Sequence, residues 1–153
     1  MKPTVGAHAP DFSLEADDGS TVSRDSLLGQ RYVLYFYPKD DTTGCTAQAC
    51  SLRDNFERVT ATGIRVFGVS PDSVKSHVKF RAKYDLPYPL LADVGHHMAD
   101  DYGVWVDKTY MGRSYQGVER SSFIIGPDGT VEHVLERVKP MEHVDLVLEA
   151  LAA

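Results

Sequence analysis

Cysteine is scarce: only Cys45 and Cys50 occur in 153 residues. A secreted scaffold held by disulfides carries more, and a chain of this length buries a core large enough not to need such staples. In a reducing compartment two nearby thiols point to chemistry, or else to small buried apolar side chains, a common fate of free cysteine. No window approaches the roughly 20 apolar residues of a membrane span. Met1 to Pro10 holds Pro3, Gly6 and Pro10 and no apolar run, which argues against a signal peptide or anchor, and the expected compartment is the cytoplasm. No block of Lys or Arg interrupts a formal charge of -6, so neither nucleic acid nor an anionic membrane is an expected partner. Repeats, low-complexity stretches and long linkers are missing too. One domain over 1–153 is expected, with an apolar content of 42% that suits a globular protein. His96-His97 lacks a spaced third ligand. It fits a solvated helix start better than a metal site, and no metal or cofactor is expected.

What is present alternates between strand and helix patterns. The turn signal Asp17-Asp18-Gly19-Ser20 sits between short alternating runs, which predicts an N-terminal hairpin within Asp11 to Val22. Arg31 to Tyr37 and Ile64 to Ser70 are continuous, aromatic and β-branched, the pattern of strands buried on both faces. Between them Cys45, Ala49, Leu52, Phe56 and Val59 form one stripe of an amphipathic helix, and Gly63 offers a stop. Strand, helix and strand in that order predict a βαβ unit with a parallel pair. Helices are then expected over Asp72 to Asp85, His96 to Tyr102 and Pro140 to Leu151. A short strand is expected over Pro89 to Ala92. Ser121 to Gly126 and Thr130 to Glu136 form a hairpin across Pro127-Asp128-Gly129. The sum is an α/β chain with a central mixed sheet flanked by helices. By analogy of element order it is a thioredoxin-like fold with an N-terminal hairpin extension. Trp105, Tyr110 and Tyr115 are assigned to the core or a pocket wall.

The segment Tyr37-Pro38-Lys39-Asp40-Asp41-Thr42-Thr43-Gly44-Cys45 leaves the C-terminal end of a buried parallel strand and enters a helix. Ligands bind at that edge of open α/β sheets. Pro38 ends the strand, and Thr42 or Thr43 is placed to cap the helix through its hydroxyl. Cys45 then falls in or near the first turn, where unpaired N–H groups and the helix dipole favour a negative group, and the thiolate is the reactive form of cysteine. Cys45 also begins the apolar stripe, and a nucleophile half-shielded from water serves both roles. Cys50 lies about 140° around the helix from Cys45, with Cα atoms about 8–9 Å apart. A disulfide needs Cα atoms nearer than about 7 Å. The two thiols therefore cannot bond while the segment is a regular helix, and any bond between them requires at least one turn to unwind.

These residues resemble a known family. Pro38-x-x-x-Thr42-x-x-Cys45 is similar to the peroxiredoxin active-site pattern. The stretch Gly44-Cys45-Thr46-Ala47-Gln48-Ala49-Cys50-Ser51-Leu52-Arg53-Asp54 resembles the bacterioferritin comigratory protein, or peroxiredoxin Q, subfamily. Ala9-Pro10-Asp11-Phe12, Tyr102-Gly103-Val104-Trp105 and Arg120-Ser121-Ser122-Phe123 extend the likeness over nearly the whole chain. The resemblance implies a thiol-dependent peroxidase acting on hydrogen peroxide and organic hydroperoxides. Cys45 would be the peroxidatic nucleophile that becomes a sulfenic acid, and Cys50 the resolving thiol that forms an intramolecular disulfide with it. Thr42 would hydrogen-bond the peroxide, Arg120 would stabilise the thiolate, and Pro38 would shield the site. A thioredoxin-type reductant would reopen the disulfide. An intramolecular partner thiol removes the need for a dimer, so a monomer is expected. Thr43, where many relatives have Pro, and Gln48, where many peroxiredoxins have Glu, depart from the pattern.

Three other readings of the same residues are open. A general thiol–disulfide oxidoreductase is disfavoured by the lack of C-x-x-C. A redox sensor would use the Cys45–Cys50 pair as a switch for partners. A zinc site is weakest, because no further ligands lie nearby.

Overall fold

In the computed structural model, which describes residues 1–152, the Asp17–Ser20 turn joins β1 (Ser13–Glu15) to an antiparallel β2 (Thr21–Ser23). Asp18 makes this turn by accepting the Ser20 backbone N–H at 2.9 Å and its hydroxyl at 2.6 Å. β3 (Tyr32–Phe36) follows, then α1 (Thr43–Asp54), α2 (Phe56–Thr60) and β4 (Arg65–Ser70). β3 and β4 pair in parallel, as a βαβ unit requires. α3 (Val74–Tyr84), β5 (Leu90–Ala92) and α4 (His97–Asp101) come next. A hairpin of β6 (Trp105–Tyr110) and β7 (Arg113–Val118) precedes β8 (Ser121–Ile125), β9 (Val131–Leu135) and α5 (His143–Ala152).

The central sheet has the order β5-β4-β3-β8-β9 and is mixed, since β8 runs antiparallel to both β3 and β9. Successive side chains of β3 point to opposite faces, so its fully buried run feeds two cores. Tyr32, Leu34 and Phe36 pack with Phe12, Met98, Tyr102 and Phe123 on one side. Val33, Tyr35 and Tyr37 pack with Cys45, Ala49 and Leu52 of α1, Phe80 of α3 and Val144 and Val147 of α5 on the other. The thioredoxin-like layering expected from the element order is what forms, and Cys45 lies inside the second core. No helix among the described residues is long and apolar enough to cross a membrane.

The register of β3 on β4 places Tyr35 opposite Gly68. A Cβ at Gly68 would lie 2.8 Å from Leu90 Cδ2 and 3.0 Å from the Tyr35 ring. Glycine here makes room for an aromatic on the neighbouring strand. Gly68→Ala is expected to overpack this layer and lower stability by about 1–3 kcal/mol. Urea denaturation checks this, and an unchanged midpoint would show that the layer relaxes freely.

Three expectations need correction. The stripe from Cys45 to Val59 does not lie on one unbroken helix. Asn55 (φ -113, ψ 14) interrupts it. Its side-chain amide donates to the Ser51 carbonyl at 2.8 Å and its Oδ1 accepts from Arg58 at 2.8 Å, local bonds of the kind by which Asn competes with helix backbone. Tyr110 and Tyr115 are 69% and 49% exposed and belong to no core. They sit on the β6–β7 hairpin, which sequence patterning missed because its strands are largely polar on both faces. Its two-residue turn, Met111-Gly112 with φ of 50 and 77, carries the left-handed geometry on an unusual residue pair. Trp105, by contrast, packs against the first core and stacks on His96 with ring centroids 3.8 Å apart. The third correction concerns Thr42 and belongs to the site.

Candidate active site

The site forms where β3 ends. Tyr37 still donates its N–H to Val69, and the chain then turns through half-buried Pro38 and exposed Lys39 into a loop that closes at Thr42, the N-cap of α1. Thr42 holds the extended N-cap conformation (φ -94, ψ 159), and its carbonyl accepts the Thr46 N–H at 2.8 Å. Its hydroxyl does not cap the helix, and neither does that of Thr43. Thr42 Oγ1 instead donates to the Lys39 carbonyl at 2.9 Å, closing the loop on itself. The expected hydroxyl cap is thus replaced by a turn-closing bond, and the first helical N–H groups keep no side-chain acceptor.

Cys45 is the third helical residue and is 2% exposed. Arg120 meets it from the other side of the sheet edge. Because Phe36 pairs with Ser121 in the antiparallel register of β3 and β8, the residue before β8 falls beside Tyr37. The Arg120 carbonyl accepts the Val138 N–H at 2.8 Å, which fixes its backbone. Both terminal nitrogens of Arg120 lie 3.5 Å from Cys45 Sγ, and Nη1 also donates to Gln48 Oε1 at 2.6 Å. Gln48 is fully buried one turn after Cys45. It supplies a neutral acceptor that orients the guanidinium without neutralising it. Gly44 contributes by absence, since a Cβ there would sit 3.2 Å from Arg120 Nη2 and 3.4 Å from Pro140. Among the described residues Arg120 has no carboxylate partner, so its charge faces the sulfur.

Four further groups surround this pair and were not found from sequence. Tyr35 is buried beneath α1 and hydrogen-bonds the Tyr88 hydroxyl at 2.8 Å, while Tyr88 donates to the Ala49 carbonyl at 3.1 Å. Burial keeps the Tyr35 phenol well above its ordinary range, and the nearby Tyr88, Tyr37 and Cys45 add to that. His143 packs on Tyr35 and shares a 2.8 Å hydrogen bond with the Ser122 hydroxyl. Desolvation first, and then the charge of Arg120, push the His143 imidazole down to about 3, so the ring is neutral near pH 7. Lys108 reaches toward the same region from β6. Burial and then Arg120 lower its ammonium below the ordinary lysine range. The only sequence signal for these groups was a buried-strand pattern around Tyr35.

Cys50 is half-buried on α1 and both thiols are free. It opens to a concavity of about 420 Å³ that also touches Thr42, Thr46 and Tyr84. Arg120 lines a separate groove of about 510 Å³ with Lys108, Arg137 and Val138. Cys50 thus faces one concavity and Arg120 another. A concavity of about 560 Å³ against Met1–Val5 and Gly103 is lined by neither cysteine and is not the site. Of the expected residues, Cys45 and Arg120 are brought into contact, Thr42 and Pro38 belong to the same loop, and Cys50 shares the helix.

Comparison with known proteins gives the site its context. The model of the AhpC/TSA family matches residues 5–134. Peroxiredoxin Bcp of Escherichia coli is 43% identical over 96% of this chain and 94% of its own. Peroxiredoxin Q of Xanthomonas campestris has a solved structure that superposes with a TM-score of 0.88, at 34% identity over 98% of this chain and 95% of that one. The bacterioferritin comigratory protein of the same organism, 33% identical with a TM-score of 0.88 over 98% of this chain and 96% of that one, was solved in trapped intermediate and ligand complexes that bear on its alkyl peroxide reduction activity. With a family model over most of the chain and these relatives aligned along nearly all of it, the chain belongs to the AhpC/TSA family, as a peroxiredoxin of the Bcp or peroxiredoxin Q group.

Proposed function

We propose that this protein is a thiol-dependent peroxidase in which Cys45 reduces hydrogen peroxide and organic hydroperoxides and Cys50 resolves the product. The observation that carries the reading is the forked contact of Arg120 on Cys45 Sγ, at 3.5 Å from both nitrogens. Peroxide reduction is displacement at oxygen. The Cys45 thiolate attacks one oxygen, the O–O bond breaks, and the departing alkoxide or hydroxide takes a proton. A guanidinium and unpaired helix N–H groups aimed at the region where that charge develops stabilise the transition state more than the ground state. Thr42 Oγ1 spends its proton on the Lys39 carbonyl and so meets the peroxide as an acceptor of its O–H. Pro38 closes the loop over the thiol.

The Cys45 sulfenic acid then condenses with the Cys50 thiol, forming a disulfide and releasing water. Both cysteines lie within the continuous helix α1, so the first turns must unwind before the sulfurs meet. A thioredoxin-type dithiol reopens the bond by exchange and is itself oxidised to a disulfide. The chemistry needs no metal, because sulfur supplies both electrons. The likeness to a relative with alkyl peroxide reduction activity supports the substrate class.

Treatment of Cys50→Ser with peroxide and a sulfenic-acid trap, read by mass spectrometry, tests the assignment. The adduct is expected on Cys45. The unchanged protein should lose two thiols per peroxide. An unlabelled Cys45, or rapid labelling of Cys50 in Cys45→Ser, overturns the roles.

A further inference from the structure

The loop that carries Pro38 and Thr42 is tied to α3 by a buried polar cluster that the peroxide chemistry does not use. Asp40 lies in that loop with its side chain 4% exposed. Its Oδ1 accepts the Tyr37 hydroxyl at 2.6 Å, and its Oδ2 accepts the Ser76 hydroxyl at 2.8 Å and lies 2.7 Å from His77 Nδ1. The fully buried His77 turns its Nε2 to the Leu91 carbonyl at 3.0 Å. A carbonyl only accepts, so Nε2 donates to Leu91, and this bond fixes the ring with Nδ1 turned to the Asp40 carboxyl. The Asp40 backbone N–H is held as well, donating to Asp72 Oδ2 at 2.8 Å. Ligand atoms of Asp40, Asp72 and His77 lie within 4.8 Å of one another, but these hydrogen bonds already occupy them.

The next residue is anchored to the same helix. Asp41 has φ of 56, a left-handed conformation that a residue other than glycine keeps only where neighbours hold it. Lys83 donates to its Oδ2 at 2.7 Å and the Tyr84 hydroxyl to its Oδ1 at 2.8 Å. α3 thus grips the loop immediately before the N-cap of the helix that must unwind.

We propose that the Asp40–His77 pair is a clamp that holds the active-site loop and the first turn of α1 in the peroxide-reactive arrangement, and that its strength sets how fast α1 opens to let Cys50 reach Cys45. This rests on the disulfide reading above. Asp40 and His77 act as positioning residues, since neither touches the sulfur. A stronger clamp keeps Cys45 and Arg120 together but delays resolution. The delayed sulfenic acid meets a second peroxide and becomes sulfinic acid, which the disulfide route cannot recover. The clamp therefore trades speed of attack against resistance to overoxidation.

The test follows His77→Gln and Ser76→Ala through a single turnover, by rapid mixing with hydrogen peroxide, acid quench and mass spectrometry. In His77→Gln the disulfide step should quicken by about tenfold, the peroxide step should slow by about threefold, and the sulfinic fraction at excess peroxide should fall. Ser76→Ala removes one neutral donor without stranding a charge, so it should fold and shift the same quantities by about two- to threefold. Phe12→Leu, in the opposite core, serves as a control of general destabilisation and should leave the ratio of the two steps unchanged. The clamp is refuted if Ser76→Ala leaves the disulfide rate and sulfinic fraction unchanged, or if Phe12→Leu shifts them equally. If the unchanged protein forms no Cys45–Cys50 disulfide at all, the earlier reading fails instead.

Discussion

Arg120→Gln is expected to slow the reaction of Cys45 with hydrogen peroxide by about 10²–10³-fold, the range seen when one preorganised donor to a developing negative charge is removed. The expectation comes from geometry. Two guanidinium nitrogens of the half-buried Arg120 sit 3.5 Å from the sulfur of the buried Cys45, and no carboxylate pairs with the cation among the described residues. Arg120→Lys should recover little of the loss, because a single ammonium cannot contact the sulfur through a planar fork and still donate to Gln48 Oε1. Gln48 Oε1 would lose its hydrogen bond from the guanidinium in either variant, and its Nε2 is already buried without a partner among the described residues. Part of the loss should therefore appear as loosening of α1. Stopped-flow thiol oxidation with unfolding measured alongside separates the two. A rate within fivefold of the unchanged protein would show that Arg120 does not act on the sulfur.

The second large effect is on stability in mild acid. His143 is fully buried, its folded pKa is about 3, and the cause is desolvation followed by Arg120. An unfolded histidine titrates near 6.5. The unfolded chain therefore binds the proton first as pH falls, and the native state does not follow until about pH 3. The stability contributed is fully present above about pH 6.5 and is lost as pH falls, at up to about 1.4 kcal/mol per unit. Integrated to the lower limit this is on the order of 3–5 kcal/mol. The window separates His143 from the carboxylates. Asp18, Asp41, Asp128 and Glu119 are shifted down by their hydrogen bonds and cations, so their losses come at lower pH. Burial shifts Asp93 up, which works in the opposite sense near pH 4 and above. Urea midpoints from pH 7 to pH 4 should fall steadily, and His143→Asn should flatten that fall. A flat profile in the unchanged protein would mean that the protonated ring is accommodated.

Much of the fold was legible because its signals are local. The continuous buried run of Tyr32–Phe36, the turn residues at Asp17–Ser20 and 127–129, and the stripe through Ala49 and Leu52 each follow from strand or helix geometry over a few residues. The limits were local conflicts. Asn55 breaks the helix through its own side-chain bonds, and the Met111-Gly112 turn closes a hairpin without the usual turn pair. Tyr110 and Tyr115 misled because an aromatic on a two-stranded ribbon outside the main sheet has nothing to cover it.

The site divides in the same way. The thiol at the start of a helix, the loop with Pro38 and Thr42, and the five-residue spacing to Cys50 lie within one contiguous stretch, so the sequence alone determined them. It also determined that the thiols cannot bond within an intact helix, because rise and pitch set their separation. The resemblance named Arg120 as the cation at Cys45, but the tertiary structure is what physically brings the two together. That depends on the register of β8 against β3, which carries Arg120 across 75 positions of chain to the sulfur. The neutral His143 behind Arg120 and the hold of His77 and Ser76 on Asp40 depend likewise on helices docking against the sheet. Backbone periodicity is written residue by residue, but the partner of a buried charge is set by packing between distant segments.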